Sequence, residues 1–306
     1  RLTCGLASFP LSVARGMATR LGASCRFRLH IGTDDIEAAY RRIPAHEPWF
    51  TTVCVADPLE PNKPKFFIVP GLNFGLTAAP LIFCSFPKAM VHFVRLLFGV
   101  ACDNFYDDVV TVDQPAHVVS AQASAALLFS LVGIPFSDEK HVKAADANPY
   151  LGIITDFSDL FYKGTVSMSI KPSRRVNLMA DLGEILKSGT SSVCSSGKLV
   201  GKLMFCIISQ FGKVGRAALR VMRDSAARGD TGIDVRPEVR PAIDFLYKLI
   251  DKFPRFTIPA FPRKRKPIYI WSDAMFGWEG LDGINYSKEP VENCFGRIGF
   301  IAIDLE

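Results

Sequence analysis

The sequence predicts an α+β protein, in which a mixed block of strands and helices leads into a run of helices and then returns to strands. Between about residues 30 and 170, strand-like and helix-like segments follow one another in the order βαββαβ. Residues 172–253 hold four successive helical patterns, and residues 268–306 have strand patterns again. The βαββαβ order is that of the ferredoxin-like split βαβ sheet, whose helices pack on one face.

The first half of this block consists of two strand patterns and one long apolar helix. The segments CRFRLHIGTD (25–34) and KFFIVP (65–70) are strand-like, and Pro70 and Gly71 close the second. Residues 77–98 form a helical pattern that tolerates Pro80 in its first turn. Pro87 lies in its interior, where it should kink or interrupt the helix.

The second half begins with ACDNFYDDVVTVD (101–113), which predicts two short strands folded back at the Asp pair. A helix is predicted over about 115–132, where Gly133 and Pro135 end it. The segments PYLGIITDF and LFYKGTVSMSI predict a final hairpin. The helical patterns that follow cover residues 172–187, 193–210, 214–228 and 236–253.

The composition is that of a globular protein with a sizeable core. The 306 residues are 49% hydrophobic and 22% charged, and this length suggests about two domains. A net charge of +6 and a pI near 8.9 fit a polyanionic partner without requiring one. The eight cysteines are scattered singly, which favours reduced thiols over a zinc site or a disulfide framework. His92 and Arg95 interrupt the longest apolar run, so no transmembrane span is predicted.

The predicted organisation has five parts, which cover residues 1–30, 31–165, 166–255, 256–267 and 268–306. The first part carries five arginines and no acid, which is typical of a transit peptide or of the remnant of a basic upstream region. We favour the remnant, because the chain does not begin with Met. The fourth part, rich in Pro, Arg and Lys, is predicted to be a basic linker.

Carboxylates stand at two strand ends of the mixed block, as Asp34-Asp35 and as Asp107-Asp108. A hairpin tip beside a strand end brings such groups together, and converging acids need a cation to neutralise them. Mg²⁺ suits this role because it takes oxygen ligands and leaves positions open for substrate phosphates. In the simpler alternative, the Asp pair is a turn dipeptide and Asp35 a helix cap.

The segments around these acids decide between the two readings. DIEAAYRRIP (35–44), FGLTAAPLIF (74–83) and FYDD (105–108) occur in that order, and GIPFSDEKH (133–141) and YLG (150–152) follow. Together they resemble the palm of reverse transcriptases from LTR-type or tyrosine-recombinase (DIRS-like) retroelements. LVGKLMF, within the helical part, resembles a thumb or connection helix of the recombinase type. The resemblance implies a polymerase palm over 31–165 and a thumb or connection over 166–255.

The resemblance implies a two-metal catalytic site. Asp35, Asp107 and Asp108 would be the metal carboxylates, and the Ile36 carbonyl would be a further ligand. The ions would be two Mg²⁺, with Mn²⁺ as a possible replacement. Lys140 would lie near the departing pyrophosphate as a charge or general acid, although a solvated surface lysine is an equal alternative.

The resemblance also implies contacts to the substrates. Tyr40, next to Ala39, would lie beneath the nucleotide sugar and exclude a 2′-hydroxyl; the alternative is a core aromatic. The floor for the incoming base pair would be formed by Phe74, Gly75 and Pro80. Gly75 would allow close backbone approach, or would be an ordinary turn residue. Tyr106 precedes the Asp pair, and Leu151 and Gly152 would form the primer grip.

Three features depart from the family pattern. Phe105 stands where Tyr is usual, and Pro87 is unexpected in its helix. Only 34 residues precede Asp35, so most of the fingers region is expected upstream.

IYIWSDA (268–274) resembles the first strand of a ribonuclease-H-like domain, in which Asp273 would be the first metal carboxylate of an incomplete site; a chance match is the alternative.

The sequence therefore predicts an RNA-directed DNA polymerase that is intracellular, has no membrane segment, and acts on a template-primer duplex and deoxynucleoside triphosphates. The main alternative is a catalytically inactive or domesticated palm that binds nucleic acid. An RNA-dependent RNA polymerase is a third possibility. It would need a small or polar residue near Tyr40 and a Gly where Tyr106 stands.

Overall fold

The structure is a computed structural model, which describes residues 6–22, 25–73, 75–189, 193–211, 214–227, 237, 239–253, 255–261, 268–278 and 294–304. Its contacts divide the chain into two compact units, Arg1–Pro262 and Arg263–Glu306.

The first unit contains eight helices and ten strands among its described residues. The helices are α1 (Phe9–Leu21), α2 (Ala79–Phe98), α3 (Val118–Leu131), α4 (Leu160–Lys163), α5 (Pro172–Ser188), α6 (Val193–Phe211), α7 (Arg216–Ala227) and α8 (Arg240–Lys252). The strands are β1 (His30–Asp35), β2 (Thr52–Asp57), β3 (Glu60–Ile68), β4 (Ala101–Phe105), β5 (Asp108–Asp113), β6 (Val142–Ala145), β7 (Ala147–Tyr150), β8 (Ile153–Asp156), β9 (Thr165–Ile170) and β10 (Arg255–Pro259).

The central sheet confirms the predicted split βαβ plan. Its strands lie in the order β4-β5-β1-β6, and all neighbouring pairs are antiparallel. In chain order these strands and the helices between them read β1-α2-β4-β5-α3-β6, which is the βαββαβ unit read from the sequence. The protein is thus an α+β fold built on antiparallel sheets.

Two apolar clusters lie on opposite faces of this sheet, because side chains alternate along a strand. Ile36 and Val109 belong to a cluster that also holds Phe83 of α2 and Phe129 of α3. Ile31, Val110 and Val112 belong to a second cluster, together with residues of α1, of strands β8 and β9 and of helices α5 to α8. The second face therefore packs against the rest of the unit.

The end of the βαββαβ block differs from the prediction. The fourth strand of the central sheet is β6, and PYLG instead forms the β7–β8 turn of a second sheet with the order β10-β9-β8-β7. LFYK, predicted to be part of a strand, forms the short helix α4. Phe157 and Leu160, three residues apart, are both buried. This spacing places both on the same side of a helical turn and would place them on opposite faces of a strand.

Two further segments are structured where the sequence suggested a remnant and a linker. Helix α1 buries Leu11, Ala14 and Ala18, which share one helical face, and it leaves Arg15 and Arg20 exposed. Strand β10 pairs with β9 over its whole length, so the first residues of the predicted basic linker belong to the second sheet.

Pro87 was predicted to kink or interrupt helix α2. The helix runs from Ala79 to Phe98 with Pro87 inside it, so the proline does not interrupt it. By length and composition alone, α2 is the one helix among the described residues that could cross a membrane. This is weak support for a span, because the helix buries Phe83, Met90 and Val94 in the core of the sheet. A core helix of a globular domain meets the same criteria.

The second unit is described for one hairpin, β11 (Ile268–Trp278) and β12 (Cys294–Asp304). The strands are antiparallel, and Asp273 lies opposite Gly299. The strand predicted around IYIWSDA is therefore present.

Candidate active site

The acidic site begins where β1 and β5 run side by side. In their antiparallel register Asp35 lies directly opposite Asp108. Residues directly opposite one another in such a pair point to the same face, with Cβ atoms about 4.5–5.5 Å apart. The two carboxylates therefore share the face of the central sheet away from α2 and α3.

Asp107 is fixed beside them by the turn between β4 and β5. The turn residue Tyr106 has a φ of 53°, a left-handed conformation that is uncommon for an aromatic residue. Asn104 Nδ2 donates a hydrogen bond of 3.1 Å to the Tyr106 carbonyl. The backbone N–H of Ile36 donates to the Asp107 carbonyl at 3.0 Å. The hairpin tip is thus tied to the residue that follows Asp35.

Lys140 adds a positive charge to this cluster. Its Nζ donates to Asp35 Oδ1 at 2.7 Å, although the side chain is largely exposed. The segment before it lies along the end of β1, where Ser137 N donates to the Asp35 carbonyl at 2.8 Å and Glu37 N donates to the Pro135 carbonyl at 2.9 Å. The structure therefore brings together Asp35, Asp107, Asp108 and Lys140.

Burial and mutual repulsion perturb these groups. Burial, followed by the charges of Asp107 and Asp35, raises the pKa of Asp108 to about 6. Burial is also the main cause of the raised pKa of Asp107, to which the charge of Asp35 contributes. The hydrogen bond and the charge of Asp35 raise the pKa of Lys140. The cluster holds more negative charge than Lys140 alone neutralises.

The donor chemistry of this cluster fits Mg²⁺, a hard cation that is bound through carboxylate and carbonyl oxygens. After burial, the charges of Asp107 and Asp35 contribute to the raised pKa of Asp108, and a cation would relieve this repulsion. Within the described ranges, however, no group of three or more His, Cys, Asp or Glu side chains is gathered closely enough to hold a metal ion as it stands. Lys140 engages Asp35, so a shared ion would require this ammonium group to leave.

Tyr40 lies on a short 3₁₀ helix, Ala39–Arg42, that follows β1. Its ring stacks on Phe83 of α2, with centroids 4.5 Å apart and 21° between the planes. Ala39 is buried, and Ala38 before it has a φ of 53°. The ring is thus half-buried and held by α2, in a place compatible with either the predicted gate or core packing.

The predicted floor of the site is only partly described. Pro80 lies in the first turn of α2, as expected, and Phe74 lies outside the described residues. Gly75 has a φ of +96°, and nothing lies within 4 Å of the position that a Cβ would occupy. Glycine is therefore favoured there by its backbone conformation, and no other group among the described residues approaches it closely.

The predicted primer grip, Leu151 and Gly152, forms the turn between β7 and β8. Both residues have positive φ, 53° and 79°. Arg174, at the start of α5, donates from Nη1 to the Leu151 carbonyl at 2.8 Å and covers Gly152 so closely that a Cβ would collide with its guanidinium. Arg174 was not among the predicted site residues, because nothing in its segment indicates a partner 23 residues away.

A second group that the sequence analysis did not assign lies behind the site. Asp34 is buried on the helix-facing side of β1, where it contacts His141 and Gln122. The alternation of side chains along a strand predicts that Asp34 points to the other face of the sheet from Asp35. It does not predict which residues Asp34 contacts there, because they are far away in sequence. Asp273 belongs to the second unit.

No protein-family model and no curated protein sequence matches the chain. Two solved structures of foamy viral protease-reverse transcriptase are similar to it in fold. One, described as "dRH in complex with ds DNA", has a TM-score of 0.52 and 11% identity over 74% of this chain and 36% of its own. The other, in complex with dsDNA, has a TM-score of 0.50 and 10% identity over 81% of this chain and 47% of its own. The chain has a reverse-transcriptase-like fold and spans less than half the length of these proteins.

Proposed function

We propose that the chain is the palm and thumb of an RNA-directed DNA polymerase from a retroelement of the LTR or tyrosine-recombinase type. The observation that carries the proposal is the cross-strand pair of Asp35 and Asp108, with Asp107 at the adjoining tip, inside a reverse-transcriptase-like fold. Crowded carboxylates raise one another's pKa and destabilise a fold. A site for cations gives this arrangement a function.

In this proposal, Asp35, Asp107 and Asp108 would hold two Mg²⁺ ions together with the Ile36 carbonyl. When bound, such ions would activate the primer 3′-hydroxyl and stabilise the leaving pyrophosphate. Lys140, already beside Asp35, would release Asp35 and move toward the pyrophosphate when the site is occupied. The ammonium group would there supply positive charge or a proton.

The remaining residues would position the substrates. The Tyr40 ring, supported by Phe83, would fill the space of a 2′-hydroxyl and so select deoxynucleotides. The Leu151–Gly152 turn, held by Arg174, would support the primer end. Both structural neighbours are complexes with double-stranded DNA, which supports a nucleic-acid duplex as the partner. We further propose that the β11–β12 hairpin begins a ribonuclease-H-like domain.

The test is extension of a labelled DNA primer on an RNA template, with the longest form of the protein that can be expressed. The expected result is Mg²⁺-dependent addition of the complementary deoxynucleotide opposite each template base. Asp107→Asn should abolish extension and leave duplex binding largely intact, because an amide lacks the negative charge that a metal needs. Asp113→Asn, at the other end of β5, is the matched control and should remain active.

A catalytically inactive palm that binds nucleic acid is the second candidate. The Lys140–Asp35 ion pair favours this candidate, because the ammonium group neutralises one carboxylate without a metal. Duplex binding that is unaffected by Mg²⁺, in a protein that extends no primer, would support this candidate and contradict the polymerase.

A further inference from the structure

An ion pair and a side-chain hydrogen bond join the same two segments of the chain, side by side. Asp34 and Asp35 are the last two residues of β1. Lys140 ends the 3₁₀ turn Asp138–Lys140, and His141 follows it directly. Lys140 Nζ lies 2.7 Å from Asp35 Oδ1, and His141 Nδ1 lies 2.6 Å from Asp34 Oδ1. Because Asp34 and Asp35 point to opposite faces of the sheet, the two contacts hold the end of β1 from both faces.

The Asp34 pair is built into the fold, whereas the Asp35 pair is exposed. The Asp34 side chain is 3% exposed, while that of Lys140 is 62% exposed. A buried carboxylate must be matched by donors. Asp34 has two of them, because Gln122 Nε2 donates to its Oδ2 at 3.2 Å and His141 Nδ1 donates to its Oδ1.

Gln122 fixes this network to the surrounding elements. Its Nε2 also lies 3.2 Å from the Val142 carbonyl, and its Oε1 accepts from Ala144 N at 3.1 Å. Gly32 faces the amide so closely that a Cβ there would collide with it. The amide therefore connects α3, β1 and β6, and Asp34 is held in one place.

We infer that the pair between buried Asp34 and partly exposed His141 positions Lys140, and this inference rests on the role proposed for Lys140 above. The pair anchors the residue next to Lys140 to the residue next to Asp35. It thereby keeps the exposed ammonium group at the acidic site, both before the ions bind and after they displace it. Asp34 and His141 face away from the site, so they are positioning residues and touch no substrate.

The first test measures Lys140 directly and needs no polymerase activity. Purified, metal-free protein is pulsed with an amine-acetylating reagent, and the labelling rate of Lys140 is measured by mass spectrometry against the exposed Lys187. His141→Ala should raise the relative rate at Lys140 about threefold or more, because the ammonium leaves Asp35 more often. His141→Asn, whose amide can still donate to Asp34, should restore most of the protection.

The second test is a double-mutant cycle in primer extension. A misplacement of about 1 Å can cost up to about 10²-fold in rate, so His141→Ala should slow the chemical step roughly tenfold or more. In a Lys140→Ala background the same change should have almost no effect, because no ammonium remains to be positioned. Melting curves check that each variant is folded. His141 is replaced instead of Asp34 because its side chain is 45% exposed, so the change disturbs the core less.

Unchanged labelling of Lys140 in His141→Ala would overturn the inference, as would an equal loss of rate in both backgrounds. If the wild-type protein extends no primer, the proposed function fails, and the labelling experiment alone then decides whether the pair positions Lys140.

Discussion

The crowded carboxylates predict that Asp108→Asn stabilises the metal-free protein at neutral pH. Burial and neighbouring charge raise the pKa of Asp108 from 3.8 to about 6. An acid whose pKa is higher in the folded state holds its proton more tightly there, so its contribution to stability is complete below pH 3.8. That contribution is lost as the pH rises through about 6.

The size of this effect follows from the pKa. At about 1.4 kcal/mol for each pH unit, the rise from 3.8 to about 6 corresponds to roughly 3 kcal/mol. The side chain is partly exposed, and solvent screening reduces this figure to about 1–2 kcal/mol. Since the Asn side chain resembles the protonated acid, the variant should gain this amount over the wild type between about pH 4 and pH 7.

The assay is urea unfolding of the wild type and of Asp108→Asn in EDTA at several pH values. The difference between their free energies of unfolding is plotted against pH. Mg²⁺ at ten times its Kd should stabilise the wild type by about 1.4 kcal/mol and should not stabilise Asp108→Asn. Asp113→Asn, whose carboxylate lies at the far end of β5, should keep the wild-type response to Mg²⁺. A difference that is constant with pH, together with an equal Mg²⁺ response in all three proteins, would refute the reasoning.

Three further substitutions test separate parts of the account. Tyr40→Ala should raise ribonucleotide use relative to deoxynucleotide use roughly tenfold, since overpacking costs about 1–3 kcal/mol; the ratio of the two incorporation efficiencies measures it. Gly32→Ala should destabilise the fold by about 1–3 kcal/mol in urea unfolding, because the new methyl collides with the buried Gln122 amide. Gly152→Ala should cost at least about 1 kcal/mol for its positive φ and should weaken primer binding in a titration, because Arg174 must move.

The controls for these changes come from the same chain. Phe161→Ala removes a ring that packs with Arg28 and Tyr162 and should leave nucleotide choice unchanged. Gly16→Ala, in α1 with open space around it, should stabilise by about 0.5–1 kcal/mol. An unmoved incorporation ratio would assign Tyr40 to core packing, and a neutral Gly32→Ala would show that Gln122 is not held as described.

The central sheet could be predicted because the patterns that define its strands and helices lie within short stretches of the sequence. Each strand or helix has its own hydrophobic period, and the βαββαβ order fixes which strands can be neighbours. The same reasoning places Asp35 and Asp108 together, since Asp35 ends one strand and Asp108 opens the strand that follows a tight turn. The register that sets them opposite each other then follows from pairing.

Within the second sheet, the antiparallel pair of β8 and β9 confirms the hairpin predicted from PYLGIITDF and LFYKGTVSMSI. The addition of β10 to this sheet could not be predicted, because it depends on contacts distant in sequence. Strand β10 pairs with β9 through residues such as Thr257 and Ser167. Their hydroxyl oxygens lie 3.1 Å apart, although the two residues are 90 positions apart in the sequence. Helix α1 buries small residues such as Ala14 and Ala18, which give only a weak helical pattern. No local rule connects Asp34 to His141, which lies 107 positions away.

The central claim is that Asp35, Asp107 and Asp108 form a metal site rather than a pair of polar turns. Crystals grown with Mn²⁺, a template-primer duplex and a non-hydrolysable deoxynucleotide would locate the ions by anomalous scattering. The account predicts Mn²⁺ bound by all three carboxylates, with Lys140 released from Asp35. Lys140 still paired with Asp35, and no anomalous peak at the three carboxylates, would contradict it.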